Sequence, residues 1–166
     1  MATEDDALEA FAGESQANRK YLAFSEKAVG EGFANVGKLF LAASEAEAIH
    51  ARRLLQVLGA VKSTATNLEG SVEGETHEYT EMYPQFVRDA EAEGRMDAVM
   101  AFKHAMKAEE VHAGLYKQAV EAVKSGKDFE AQTIYLCPIC GNIVVDTVPD
   151  KCPICNAKGS LFKAVQ

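Results

Sequence analysis

The chain has 166 residues and a mass of 17.9 kDa, the size of one ordinary domain or of one domain with a small appendage. Hydrophobic residues make up 48% and charged residues 25%, which is enough to bury a core and excludes a disordered chain. Acidic side chains outnumber basic ones 25 to 17, and the formal charge of -8 repels phosphate backbones and anionic lipid, so no nucleic-acid or membrane partner is expected.

The start, Met1-Ala-Thr-Glu4-Asp-Asp6, is acidic where a secretory signal needs basic residues, and no apolar run reaches the length of a membrane span. A cytoplasmic location is expected. There the reducing thiol pool makes the four cysteines metal ligands more readily than disulfides.

Breakers and helical periodicity divide the first 131 residues into four long helices, over about Glu4 to Val29, Ala34 to Leu58, Gly74 to Glu93 and Met96 to Lys124. Gly30-Glu-Gly32 and Gly94 mark short turns, so the helices pair as two hairpins. The Ser/Thr/Asn/Gly stretch from Ala60 to Ser71 reads as a looser connection, long enough for a crossover. Pro84 is expected to kink the third helix, because it removes a backbone donor and crowds the Thr80 carbonyl. Composition changes near Ala131 to Tyr135, which predicts a helical domain over 1–131 and a small one over 132–166.

The apolar seam of the second helix carries Glu47-x-x-His50, and that of the fourth carries Glu109-x-x-His112. Residues three apart share a helical face, so each acid stands beside its histidine. Glu14 lies on the inner stripe of the first helix, and the third presents Glu75-x-x-Glu78. Glu14 to Glu47 is 33 residues and Glu75 to Glu109 is 34, the mark of a half-repeat. A single Glu-x-x-His is most often a solvated pair. Two on apolar seams, each with a further Glu at a matching offset, form the ligand pattern of two-metal ferritin-like bundles, suited to iron or manganese. His77 and His104 fall off the seams and read as surface residues.

All four cysteines follow residue 136, as Cys137-Pro-Ile-Cys140 and Cys152-Pro-Ile-Cys155. Two such knuckles specify a tetrahedral four-thiolate site. Spacing leaves zinc and iron both open; beside a carboxylate site that needs electrons, iron is the better reading. Ile139, Ile154, Tyr135, Leu161 and Phe162 are expected to shield the sulfurs, and Val144-Val145-Asp146 reads as a strand.

These motifs together resemble the rubrerythrin family over nearly the whole chain. Ala10-Phe-Ala-Gly-Glu14-Ser, Glu47-x-x-His50-Ala, Glu75-x-x-Glu78-x-x-x-Met82-Tyr83-Pro84, Glu109-Glu-x-His112-Ala and the two Cys-Pro-Ile-Cys knuckles carry the likeness. It implies a mainly α fold, a ferritin-like four-helix bundle followed by a rubredoxin-like β/loop metal domain. It further implies a non-haem di-iron centre, a mononuclear Fe(Cys)4 site held by Cys137, Cys140, Cys152 and Cys155, and no haem. The implied activity is reduction of hydrogen peroxide to water in oxidative-stress defence, with electrons from rubredoxin or an NAD(P)H-dependent reductase. By resemblance, Glu47 and Glu109 bridge the irons, Glu14 is terminal on one, and Glu75 with His112 holds the other. Glu78 and His50 exchange on the first iron, while Tyr21 and Tyr83 line the site. Asn142, where an aromatic is common, and Asn156, where Gly is usual, depart from rubredoxin habit. A homodimer or higher oligomer is implied, with head-to-tail placement of the cysteine module near the partner's di-iron site and room for exchange of helical hairpins. The rival readings are a ferroxidase or oxygen-reducing ferritin relative, and a zinc-ribbon scaffold.

Overall fold

The computed structural model describes residues 2–166, which form two compact units, one up to Lys62 and one from Ser63 to Gln166. The first is an antiparallel hairpin of α1 (Ala2–Gly30) and α2 (Ala34–Val57). Its turn is a Schellman closure: Phe33 N–H donates to the Ala28 carbonyl and Gly32 N–H to that of Val29, with Gly32 at φ +90°, a backbone conformation that residues with a side chain rarely adopt. Small residues meet along the seam, with Ala7, Ser25, Ala28 and Ser44 buried. A Cβ on Gly37 would meet Val29 at 2.5 Å, so the two backbones approach closely there. Asn18 and Ser44 clasp the helices through three hydrogen bonds of 2.8 to 3.0 Å.

The second unit begins with α3 (Thr64–His77), a π-helical turn (Glu78–Met82), α4 (Tyr83–Ala92) and α5 (Met96–Lys124). Val87, Ala90 and Val99 form its buried cluster, backed by Phe102. The chain then enters a three-stranded antiparallel sheet in the order β2-β1-β3, made of β1 (Ile134–Leu136), β2 (Ile143–Val145) and β3 (Lys163–Ala164). Tyr135 pairs with Val144 on one side and Ala164 on the other. The β2 strand begins and ends one residue before the predicted segment, because Asp146 turns to φ +61° and accepts the N–H groups of Gln132 and Thr133.

One expectation needs correction. The stretch expected to be a loose connection to Ser71 is mostly helix: Ser63 caps α3 by accepting the Thr66 N–H, and α3 packs along α5. Residues 58–63 remain as connection. Directly before Pro84 the helix is distorted into the π turn, where the Tyr83 N–H reaches back five residues to the Glu78 carbonyl, and Pro84, which has no N–H to give, follows in the first turn of α4.

Sequence arithmetic explains the wide turn. Phe40 and Phe102, Glu47 and Glu109, His50 and His112, Tyr21 and Tyr83, and Phe24 and Phe86 are each 62 residues apart, but Glu14 and Glu75 are 61 apart. The second half of the repeat thus holds one extra residue between Glu75 and Tyr83, the stretch that contains the π turn. In a plain α-helix that residue would swing Tyr83 and Phe86 about 100° off the seam. The π turn absorbs it. Tyr21, Phe24 and Phe40 accordingly form one aromatic cluster, and Tyr83, Phe86 and Phe102 its counterpart, with ring centroids 5.5 to 6.3 Å apart.

Candidate metal centres

Three groups of side chains bring potential ligand atoms within 4.8 Å of one another. In the first unit, Glu14 faces Glu47 and His50; His50 Nδ1 lies 2.8 Å from Glu47 Oε2 and 3.6 Å from Glu14 Oε1. In the second, Glu75 faces Glu109 and His112; His112 Nδ1 lies 2.7 Å from Glu109 Oε2 and 3.7 Å from Glu75 Oε2. The repeat therefore builds the same half-site twice.

Proton affinities record the crowding. Glu14 is held above the ordinary carboxylate range by the hydrogen bond it shares with Glu47, then by burial and by the Glu47 charge. Burial is the first cause for Glu75, followed by its hydrogen bond to Glu109 and that residue's charge. Two carboxylates at this distance share a proton unless a cation takes its place. Among the described residues, Glu75 Oε2 is buried without a hydrogen-bond partner. An orphaned carboxylate oxygen beside a second acid and an imidazole is satisfied by a metal, so the donor set fits one.

His112 is oriented from behind. Its Nε2 lies 2.9 Å from the Gly141 carbonyl, which can only accept, so Nε2 is held as a donor and Nδ1 is the nitrogen turned toward Glu109 that a cation would use. Gly141 directly follows Cys140, so the cysteine module touches the half-site of its own chain. The contact continues where Leu115 and Tyr116 of α5 face Ile143 and Val145 across an apolar pocket.

In the cysteine site, Cys137 Sγ lies 3.7 Å from Cys155 Sγ, and Cys140 Sγ lies 3.6 Å from Cys152 Sγ. A tetrahedron of sulfurs around a metal at 2.3 Å has edges of roughly 3.8 Å, so the four thiols are already spaced for one ion. Burial pushes the Cys140 thiol well up. It works the same way on Cys152, but the backbone N–H groups of Cys155 and Ile154 bring that thiol down to about 7. Ile139 and Leu161, expected to shield the sulfurs, are largely exposed, and Asn142 is the residue buried against them.

The family model described as rubrerythrin matches residues 7–120, and that of the rubrerythrin rubredoxin-like domain matches 135–163. The chain belongs to the rubrerythrin family. It is 35% identical to rubrerythrin-2 of Clostridium acetobutylicum over 98% of this chain and 96% of that protein. It is 36% identical to the rubrerythrin of Nitratidesulfovibrio vulgaris over 92% and 88%. Among solved structures, mixed-valence nigerythrin matches at 34% identity with a TM-score of 0.58, over 98% of this chain and 86% of that one. Rubrerythrin membership makes the Glu/His groups those of a di-iron centre, the cysteine cluster a rubredoxin-like iron site, and the chain a di-iron protein of oxidoreductase type with a role in oxidative stress. No helix among the described residues is long and apolar enough to cross a membrane.

The remaining expected residues fall near this frame. Glu78 opens the π turn, and its charge, after burial and the charge of Glu109 and ahead of that of Glu75, helps hold the Tyr83 phenol protonated. Tyr21 occupies the matching place beside Phe24 and Phe40. His77 is exposed near Glu81, while His104 is half-buried beside Met100 and Ile154, less open than a surface residue was expected to be. Two participants escaped the sequence reading, the Gly141 carbonyl and the Asn142 amide. A backbone acceptor leaves no motif, and Asn142 showed only as a departure from rubredoxin habit.

Proposed function

We propose that this chain is a cytoplasmic di-iron peroxidase that reduces hydrogen peroxide to water, residues 1–131 supplying the di-iron bundle and 132–166 the entry point for electrons. Glu47 and Glu109 would hold the irons as bridging carboxylates, Glu14 would be a terminal ligand, and Glu75 with His112 would hold the second iron. His50 and Glu78 would alternate as ligand on the first. When bound, the two ferrous ions supply the electron pair that cleaves the O–O bond, and two protons complete two water molecules.

The chain's own groups manage position and protons. Glu14 and Glu75 each hold a proton shared with their partner glutamate, which they would give up where a cation is bound. Tyr83, kept protonated by burial and three nearby acids, holds a hydroxyl hydrogen that it can donate to a developing hydroxide. Gly141 fixes the His112 ring in the tautomer that binds metal.

The observation that carries this reading is the 2.9 Å contact between His112 and Gly141, which joins the candidate di-iron ligands directly to the cysteine module. It supports electron delivery one at a time from Cys140 toward His112, with rubredoxin or an NAD(P)H-dependent reductase as outer donor. A homodimer or higher oligomer, with room for exchange of helical hairpins between copies, goes with this reading.

The test is single-turnover reoxidation of iron-loaded, anaerobically reduced protein, followed optically after mixing with peroxide or with oxygen. Fast reoxidation by peroxide is expected; fast reoxidation by oxygen alone would replace the peroxidase with an oxidase. Metal analysis of the same sample should give two irons in the carboxylate sites and one in the cysteine site. Zinc in the cysteine site with an empty bundle would indicate a scaffold.

A further inference from the structure

The cysteine site is built twice on one plan. In the first knuckle, Cys137 N–H donates to the Asn142 carbonyl at 2.8 Å, and Gly141 N–H to the Cys137 carbonyl at 3.0 Å. In the second, Cys152 N–H donates to the Ala157 carbonyl at 2.8 Å, and Asn156 N–H to the Cys152 carbonyl at 2.9 Å. Gly141 and Asn156 take the same left-handed turn, at φ +80° and +61°. Residues 142 and 157 are therefore equivalent. Each gives its backbone N–H to the last cysteine of its own knuckle, Asn142 to Cys140 and Ala157 to Cys155.

The side chains break this symmetry. Ala157 ends in a methyl group and has no further donor. Asn142 is 1% exposed, and its Nδ2 reaches across to the opposite knuckle, 3.8 Å from Cys152 Sγ, within reach of a hydrogen bond to sulfur. Burying an amide is costly unless it finds a partner, and the twin position shows that the turn itself needs none. Cys152 is 0% exposed and already receives the N–H groups of Cys155 and Ile154. Asn142 thus adds a further donor to the most buried sulfur of the site.

We propose that Asn142 is a positioning residue that raises the reduction potential of the cysteine-held iron through this one-sided N–H···S bond. The proposal rests on the reading of that site as an iron site. Reduction adds a negative charge shared by the four sulfurs, so a donor aimed at one of them stabilises the ferrous form more than the ferric form. The step is a one-electron change at the iron, with the electron arriving from the outer donor and no bond made or broken. A higher potential makes this iron easier for a weak reductant to fill. Substitution of Asn142 should tip the module from accepting electrons toward releasing them.

The test uses the full-length, iron-loaded protein and an equilibrium redox titration of the thiolate-to-iron absorption, independent of peroxide turnover. Asn142→Leu keeps the volume and removes the donor, and Asn142→Ala installs the residue of the twin position. Both should lower the ferrous-to-ferric ratio at a fixed ambient potential by about tenfold, equivalent to about 59 mV for one electron. Asn156→Gly, a change in the opposite turn that leaves the sulfur donors in place, should not move the midpoint. Unchanged midpoints in both Asn142 variants, or an equal fall in Asn156→Gly, would overturn the proposal. A wild-type protein that takes up iron without the ferric thiolate absorption would overturn the iron assignment instead.

Discussion

The two half-sites share ligand types and spacing yet differ in how firmly they are held. The His50 side chain is 54% exposed and that of His112 18%, although each stands within 2.8 Å of its own glutamate. His112 is pinned from behind by Gly141; His50 has no matching anchor among the described residues. The helix bearing Glu75 carries an extra residue in a π turn headed by Glu78, while α1 runs unbroken past Glu14. A sequence repeat thus yields one fixed half-site and one with freedom to adjust.

The sharpest way to break the comparison is to remove each histidine in turn. His112→Ala should cost iron affinity by roughly a hundredfold or more, with His50→Ala nearer tenfold, as read by metal titration of the purified protein. Equal losses would mean that the anchor at Gly141 does not distinguish the sites.

Next in size is a deletion pair. Removing Thr80 lets the π turn relax to an α-helix with Tyr83 and Phe86 still on the seam, so stability should change by less than about 1 kcal/mol. Removing the exposed Arg19 from α1, which has no spare residue to give up, rotates Tyr21 and Phe24 off their face and should cost roughly 3 kcal/mol or more. Thermal or urea unfolding of the two variants decides between them.

The smallest effect is on pH. Glu14 and Glu75 bind protons more tightly when folded than their ordinary value of 4.5, so the metal-free folded chain holds more protons than the unfolded one above that pH. Their contribution is full below 4.5 and is lost as pH rises through the raised values. Melting temperatures of metal-free protein should fall across that window. Glu75→Gln and Glu14→Gln should each flatten the slope, since each removes one of the carboxyls whose proton affinity is raised. Iron loading should release protons and cancel the trend.

Much of the site was legible early because its signals are local. Glu47 and His50, and Glu109 and His112, are one helical turn apart on apolar stripes, and the two knuckles declare themselves by cysteine spacing. The start of α3 was not legible: Thr64 to Ser71 is rich in residues that favour turns, and packing against α5 together with the Ser63 cap overrides that preference. The one-residue mismatch between the half-repeats was visible as 33 against 34, but Pro84 offered a ready explanation for a bend, and only the backbone showed the extra residue taken up in a π turn before it.

The sequence by itself determined the ligand types, their pairing on helix faces and the four-thiolate knuckles, because each of these follows from short-range periodicity. Tertiary structure alone decided which nitrogen of His112 is free for metal, which sulfur receives the Asn142 amide and which half-site is anchored. His112 meets Gly141 across 29 residues and Asn142 meets Cys152 across ten. No helical or strand period links such positions. Their contacts arise only when the knuckles close on each other and the module comes to rest against α5.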